Sequence, residues 1–224
     1  MTFHDRLVSE TKENQQHLIS SPIILACLSG AIDLNSYQAF LTQAYHHVRH
    51  TVPLLRAFRS KLTPNEIWLE PHLNEYIEEE MGHEEWIVND LVACGFSREH
   101  ALDTGANSAT QAMVDHAYQL IASGRGMGFW GMVFVLEGTS VALALKAADQ
   151  IQDSLALPDA AFSYLRSHGT LDQSHTAHFA DLMNLIEDQE TQSLIIAEAK
   201  NFFRLYAEIF RTLPMPIPTS EVRT

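Results

Sequence analysis

The chain has little of what marks the commoner functional classes. It has only two cysteines, Cys27 and Cys94. Both lie in apolar runs and neither belongs to a CxxC pair, which argues against a zinc ribbon or a disulfide framework. Cationic side chains are scarce. Against 28 Asp and Glu there are 14 Lys and Arg, a net charge of −14 over 224 residues. A surface that acidic does not hold nucleic acid or anionic membranes by charge, so neither is expected as a partner. No apolar run approaches the ~18 residues of a membrane span. The N-terminal stretch MTFHDRLVSETKENQQ lacks the apolar core of a signal peptide, and a cytoplasmic location is expected. There is no internal repeat, no low-complexity stretch and no convincing alternating strand pattern.

What is present is helical periodicity and histidine. Nearly every segment reads with a period near 3.6, giving seven or eight helices and an all-α bundle. A first helix spans 3–19, with Phe3, Leu7, Thr11 and Leu18 on one side. Ser21-Pro22 starts a short helix that Gly30 stops. Asp33 caps a long helix over 34–61, and another long helical stretch runs from 65 to 94, with Pro71 kinking or restarting it near its start. Ser97 caps a short piece, then helices follow over 107–122, 129–151, 158–186 and 191–213, with GRGMG at 124–128 as a loop. Residues 1–213 are read as one domain and 214–224 as an extended tail.

The hydrophobic content of 46% supports a substantial core, and that core is interrupted in three places by metal-type ligands. The stretch HGTLDQSH places His168, Asp172 and His175 at i, i+4 and i+7, within an arc of roughly 60° on one helix face. Tyr164, Leu165, Phe179, Leu182 and Ile186 share that face, so the two imidazoles and the carboxylate fall in the buried stripe. Such groups must satisfy one another or hold an ion. In EYIEEEMGHEEW, the apolar phase set by Leu69, Leu73, Tyr76, Ile87 and Leu91 selects Glu80 and His83 for the core. It leaves Glu78, Glu79 and Glu85 in water, with Glu79, at i−4 of His83, as a rival ligand. An ExxH pair alone is more often a buried polar network than a metal site. The third place is Glu137, the lone acid in FWGMVFVLEGTSVALALKA, where a carboxylate must be protonated, paired or metal-bound. A buried salt bridge would serve there equally well, and Gly138 beside it leaves room for close approach.

Together the three places offer three carboxylates, three imidazoles and no thiolate, a donor set suited to iron or manganese rather than structural zinc. Six side chains can hold two metals, or three can hold one. Tyr45, His46, Arg49 and His50 in YHHVRH, with Trp130 and Phe134, are expected to wall a substrate pocket; an ordinary polar helix face serves the first four equally well, Trp130 and Phe134 fit the core better still, and His46 and His50 at i, i+4 are also a rival metal pair. His72, His116 and His178 have no partner at a telling spacing.

At these residues the chain resembles the haem-oxygenase-like superfamily, in the branch with TenA/thiaminase-II and pyrroloquinoline-quinone synthase, and most of all its non-haem iron oxidases and oxygenases. Glu80, His83, Glu137, His168, Asp172 and His175 match that group's ligand pattern in order and spacing. The resemblance covers the chain to about Leu213. It implies a helical bundle around a central cavity, often as a homodimer. It also implies one or two irons, no haem, and dioxygen acting beside a small organic substrate. The alternative is a metal-free TenA-like protein, but TenA proteins use a pocket cysteine. None lies in 129–147, and Cys94 lies at a helix end. A haem would need a proximal histidine on the first helix, where His17 is available.

Overall fold

In a computed structural model of the chain, the described residues are 1–217, less the side chains of 170–175. They form eleven α-helices: α1 (Phe3–Ile19), α2 (Pro22–Leu28), α3 (Leu34–Val48), α4 (Thr51–Arg59), α5 (Glu70–Glu80), α6 (His83–Ala93), α7 (Arg98–Leu102), α8 (Ser108–Ala122), α9 (Trp130–Leu155), α10 (Ser163–Asn184) and α11 (Gln189–Thr212). Three short 3-10 turns precede α5, α9 and α10. No strand occurs among the described residues, in keeping with the all-α reading.

Local chemistry starts the helices. Thr2 and Asp5 form a reciprocal capping box on α1, and Asp33, Ser97, Asn107 and Asp188 each accept a hydrogen bond from the backbone N–H three residues on. The four residues of α1 expected on one side are its four buried ones. The tail begins in contact with α3: the Ser36 hydroxyl donates to the Pro214 carbonyl (2.8 Å) and the Ile217 N–H to Asp33 (3.0 Å). Residues 218–224 of the expected tail lie outside the described residues.

Two expected long helices are broken, which raises the helix count. The stretch 34–61 parts at Arg49-His50. Pro53 has no N–H for the carbonyl four residues back, and that residue is Arg49. The stretch 65–94 parts at Met81-Gly82: Met81 is extended (ψ 119°) and Gly82 is left-handed (φ 88°). Pro71 restarts the stretch rather than kinking it: it sits in the first turn of α5, where its missing N–H costs nothing.

Helix α9 is the centre of the bundle and packs on α10 and α11; α11 also covers α1 and α8. Segment 126–155 is long and apolar enough, by length and composition, to cross a membrane, which corrects the expectation that no run approaches a span. A helix surrounded by neighbours in a bundle core is apolar on every side for the same reason as one in lipid, and half of this window is buried in the bundle. The contact with α11 is very close at Gly131, where an added Cβ would stand 2.6 Å from the Ala199 backbone nitrogen.

The buried side chains divide into two clusters. One is built on α1, α4, α5, α8, α9 and α11, the other on α3, α6, the C-terminal part of α9 and the start of α10. The polar residues of interest lie where the two meet.

Candidate metal centre

A cavity of about 60 Å³ opens at this seam. Tyr76, Leu55, Phe129, Met132 and Tyr206 line it from the first cluster, Val48 and Tyr164 from the second. Into it come Glu80, Glu137, His168 and His47. Each arrives from a different helix, α5, α9, α10 and α3.

Glu80 is the last residue of α5 and His83 the first of α6, so the ExxH pair spans a turn rather than a helix face. Both are buried, while Glu78, Glu79 and Glu85 are exposed. His83 Nδ1 stands 3.1 Å from Glu80 Oε2, yet this contact lacks hydrogen-bond geometry. With metal–ligand bonds near 2.1 Å, two adjacent donors on one octahedral ion lie about 3.0 Å apart, so the pair is spaced as ligands of a common ion are. The His83 ring stacks on Trp86 at 4.0 Å and meets the His168 ring edge-on at 4.9 Å. His168 also contacts the Tyr164 ring at 4.8 Å. Oxygen and nitrogen donors with no thiolate, gathered in a buried seam, fit iron. The side chains of Asp172 and His175, which complete the set read from the sequence, lie outside the described residues.

Helix α10 is aimed by a residue that the sequence did not single out. Asp90, fully buried on α6, accepts hydrogen bonds from the backbone N–H groups of Ser163 and Tyr164 (2.9 Å each) and from the Ser163 hydroxyl. It thus caps α10 from outside the helix, five residues before His168. Burial pushes its carboxyl above the usual range, opposed by these hydrogen bonds.

His47 was also missed. Its ring is buried against Tyr206, and its Nδ1 has no hydrogen-bond partner among the described residues. Burial, with His168 nearby, lowers its pKa to about 3, so the imidazole is neutral. The residues expected to wall the pocket line neither this cavity nor the neighbouring one. His46 bonds to Thr104 (3.0 Å), His50 to Tyr118 (3.1 Å), and Arg49 lies over the Tyr45 ring (5.3 Å). Trp130 packs in the core against Tyr76, and Phe134 stacks on Phe179. On α3 it is His47, not His46, that faces the seam, and the break after Val48 takes His50 off the helix of His46. At Gly138 no atom of the described residues lies within 4 Å of an added Cβ.

A second cavity of about 90 Å³ adjoins the first, and Ser140, Tyr164, His168 and Tyr206 belong to both walls. It is almost wholly apolar, lined by Ile23, Ile24 and Leu28 of α2 and by Leu143, Ala147 and Phe210. Cys27 also lines it, and burial raises that thiol to about 11. His17 is exposed at the end of α1.

The family described as iron-containing redox enzymes matches residues 38–207. No curated protein matches the sequence. Among solved structures, a domain of unknown function with a haem-oxygenase-like fold from Shewanella denitrificans superposes with a TM-score of 0.83 at 20% identity, covering 95% of this chain and 92% of its own. A TenA homologue from Pseudomonas syringae pv. tomato gives 0.78 at 13% identity, covering 93% and 90%. Haem oxygenase-1 from the cyanobacterium Synechocystis, in complex with haem, gives 0.76 at 17% identity, covering 95% and 92%. At these identities the likeness establishes the haem-oxygenase-like fold.

Proposed function

The chain belongs to the iron-containing redox enzyme family, and from that premise we propose that it is a non-haem iron oxidase or oxygenase acting on a small organic substrate with an apolar part. The observation that carries this reading is the convergence of Glu80, Glu137, His168 and His47 on one cavity, with His83 beside Glu80 and an apolar cavity against the same wall. Glu80, His83, Glu137 and His168 would hold iron, joined by Asp172 and His175. Iron held there supplies the electrons that activate dioxygen.

The chain's own residues do the rest. Leu55, Phe129, Met132 and Leu136 keep water from the site, which strengthens every electrostatic contact inside it. The apolar cavity under α2 takes the hydrocarbon part of the substrate and brings its polar end to the wall shared by Tyr164, His168 and Tyr206. His47, neutral at working pH, offers Nδ1 to that polar end as a hydrogen-bond partner. Two features weigh against the rivals. The exposed His17 is poorly placed to reach a haem in the seam. Cys27, the thiol in the apolar wall, is protonated and so a poor nucleophile for TenA-type chemistry.

The test is iron content and melting temperature after anaerobic addition of ferrous ion, then air. One or two irons per chain, a raised melting temperature and a new absorbance on oxygenation are expected, all lost in His83→Ala. Full iron retention by both His83→Ala and Glu137→Gln would overturn the assignment.

A further inference from the structure

A second group of metal-type donors lies outside the seam. His72 and Glu75 sit one turn apart on α5, at the i, i+3 spacing that shares a helix face. His178 comes to them from α10, across 103 residues of chain. His178 Nε2 is 3.4 Å from Glu75 Oε2, and the donor atoms of all three residues lie within 4.8 Å of one another. The rings of His72 and His178 are 5.4 Å apart. His178 Nε2 is itself shielded from solvent and has no hydrogen-bond partner among the described residues, although the residue is half-exposed.

The geometry points to a second transition-metal site formed by His72, Glu75 and His178, distinct from the centre in the seam and open to solvent. Two donors on one tetrahedral ion with bonds near 2.1 Å stand about 3.4 Å apart, which is the spacing already held by His178 and Glu75. The remaining separations need to close by little more than an ångström, within reach of half-exposed side chains that turn about their own torsions. Trp68 meets His72 edge-on at 6.3 Å and Tyr76 lies 6.0 Å from His178, so both rings have aromatic walls. Two imidazoles and one carboxylate favour zinc, cobalt or ferrous ion over calcium or magnesium, which take oxygen ligands. With three protein ligands, the ion keeps open positions for water or for an exchanging ligand.

The placement gives the site a structural reach. It ties α5, whose last residue is Glu80, to α10, which carries His168. Tyr76 stands between the two metal positions, touching His178 on one side and lining the inner cavity on the other. An ion bound outside therefore braces the two helices that supply the inner ligands.

The experiment is titration of the full-length chain with Co²⁺, read by visible absorption, and with Zn²⁺, read by calorimetry. Wild type is compared with His72→Ala, Glu75→Gln and the inner variant His83→Ala. Glu75 is exposed and His72 half-buried, so both outer variants are expected to fold, and circular dichroism verifies it. One class of sites is expected to weaken at least tenfold in His72→Ala and Glu75→Gln and to persist in His83→Ala. Uptake in both outer variants with wild-type stoichiometry and affinity overturns the proposal. So does loss of that class in His83→Ala alone.

Discussion

Gly131 and Gly138 are seven residues apart on α9, and seven residues is nearly two full turns, so they share a face. Alanine at each makes the same chemical change with opposite expected sign. At Gly131 the new methyl would stand 2.6 Å from the Ala199 nitrogen and 3.0 Å from the Ile195 carbonyl oxygen, both backbone atoms of α11. Backbone cannot turn aside as a side-chain tip can, so α11 must retreat by close to an ångström to restore ordinary contact. Overpacking of this kind costs about 1–3 kcal/mol, and a steric contact with helix backbone belongs at the upper end. The helix-propensity gain of about 1 kcal/mol offsets part of it, leaving a net loss of roughly 2 kcal/mol. At Gly138 nothing among the described residues lies within 4 Å, so against these the propensity gain stands alone and stability is expected to rise by about 0.5–1 kcal/mol. Urea unfolding of the metal-free chain measures both. At this chain length each kcal/mol shifts the melting temperature by about 2–4 °C. Because α11 carries Tyr206 to the cavity wall, Gly131→Ala is also expected to weaken iron uptake, whereas Gly138→Ala leaves it unchanged. A Gly131→Ala chain as stable as wild type, or a destabilised Gly138→Ala chain, would refute the packing described for α9 on α11.

Three further outcomes follow from the same geometry. Asp90→Ala leaves two backbone N–H groups at the start of α10 without their acceptor and is expected to cost about 2–4 kcal/mol in urea unfolding; an unchanged midpoint would mean that Asp90 does not anchor the helix. His47 has a folded pKa of about 3 against 6.5 unfolded. Its contribution to stability is therefore fully present above pH 6.5 and is lost as pH falls toward 3, by up to about 1.4 kcal/mol per pH unit. Unfolding of the apo chain at pH 7 and pH 4.5 should show a smaller acid loss in His47→Gln than in wild type, and equal losses would contradict the burial of a neutral ring. Ile24→Trp, which fills the apolar cavity from α2, is expected to leave iron content intact while abolishing any stabilisation of the chain by small apolar acids or amines in thermal melts; stabilisation equal to wild type would place the substrate elsewhere.

Much of this architecture is legible in the sequence where a helix is long and one-sided. Phe3, Leu7, Thr11 and Leu18 mark the buried face of α1 because that helix is wetted along its other side. Likewise Glu80 and His83 separate from Glu78, Glu79 and Glu85 because the apolar phase on either side of them is regular. The phase gives no guidance at the end of α3, where every residue from Gln43 to Val48 is buried. There the pairing of His46 with His50 is plausible on paper, and the break that takes His50 off the helix of His46 decides the matter. That break had a signal in Pro53, four residues after Arg49. The left-handed turn at Gly82 had none stronger than the glycine itself. His178 meeting His72, and Asp90 capping α10, are tertiary facts that no local spacing carries.

The wall shared by the two cavities limits how this protein can diversify. Tyr164, His168 and Tyr206 line both cavities, so under the proposed function a change there is expected to alter ligand geometry and substrate fit together, with epistatic effects. Ile23, Ile24 and Leu28 face the chamber alone and come from one short helix at its far end. Relatives that handle different substrates with the same centre are therefore expected to differ first in α2, which makes this seven-residue segment the place to begin randomised libraries for altered specificity.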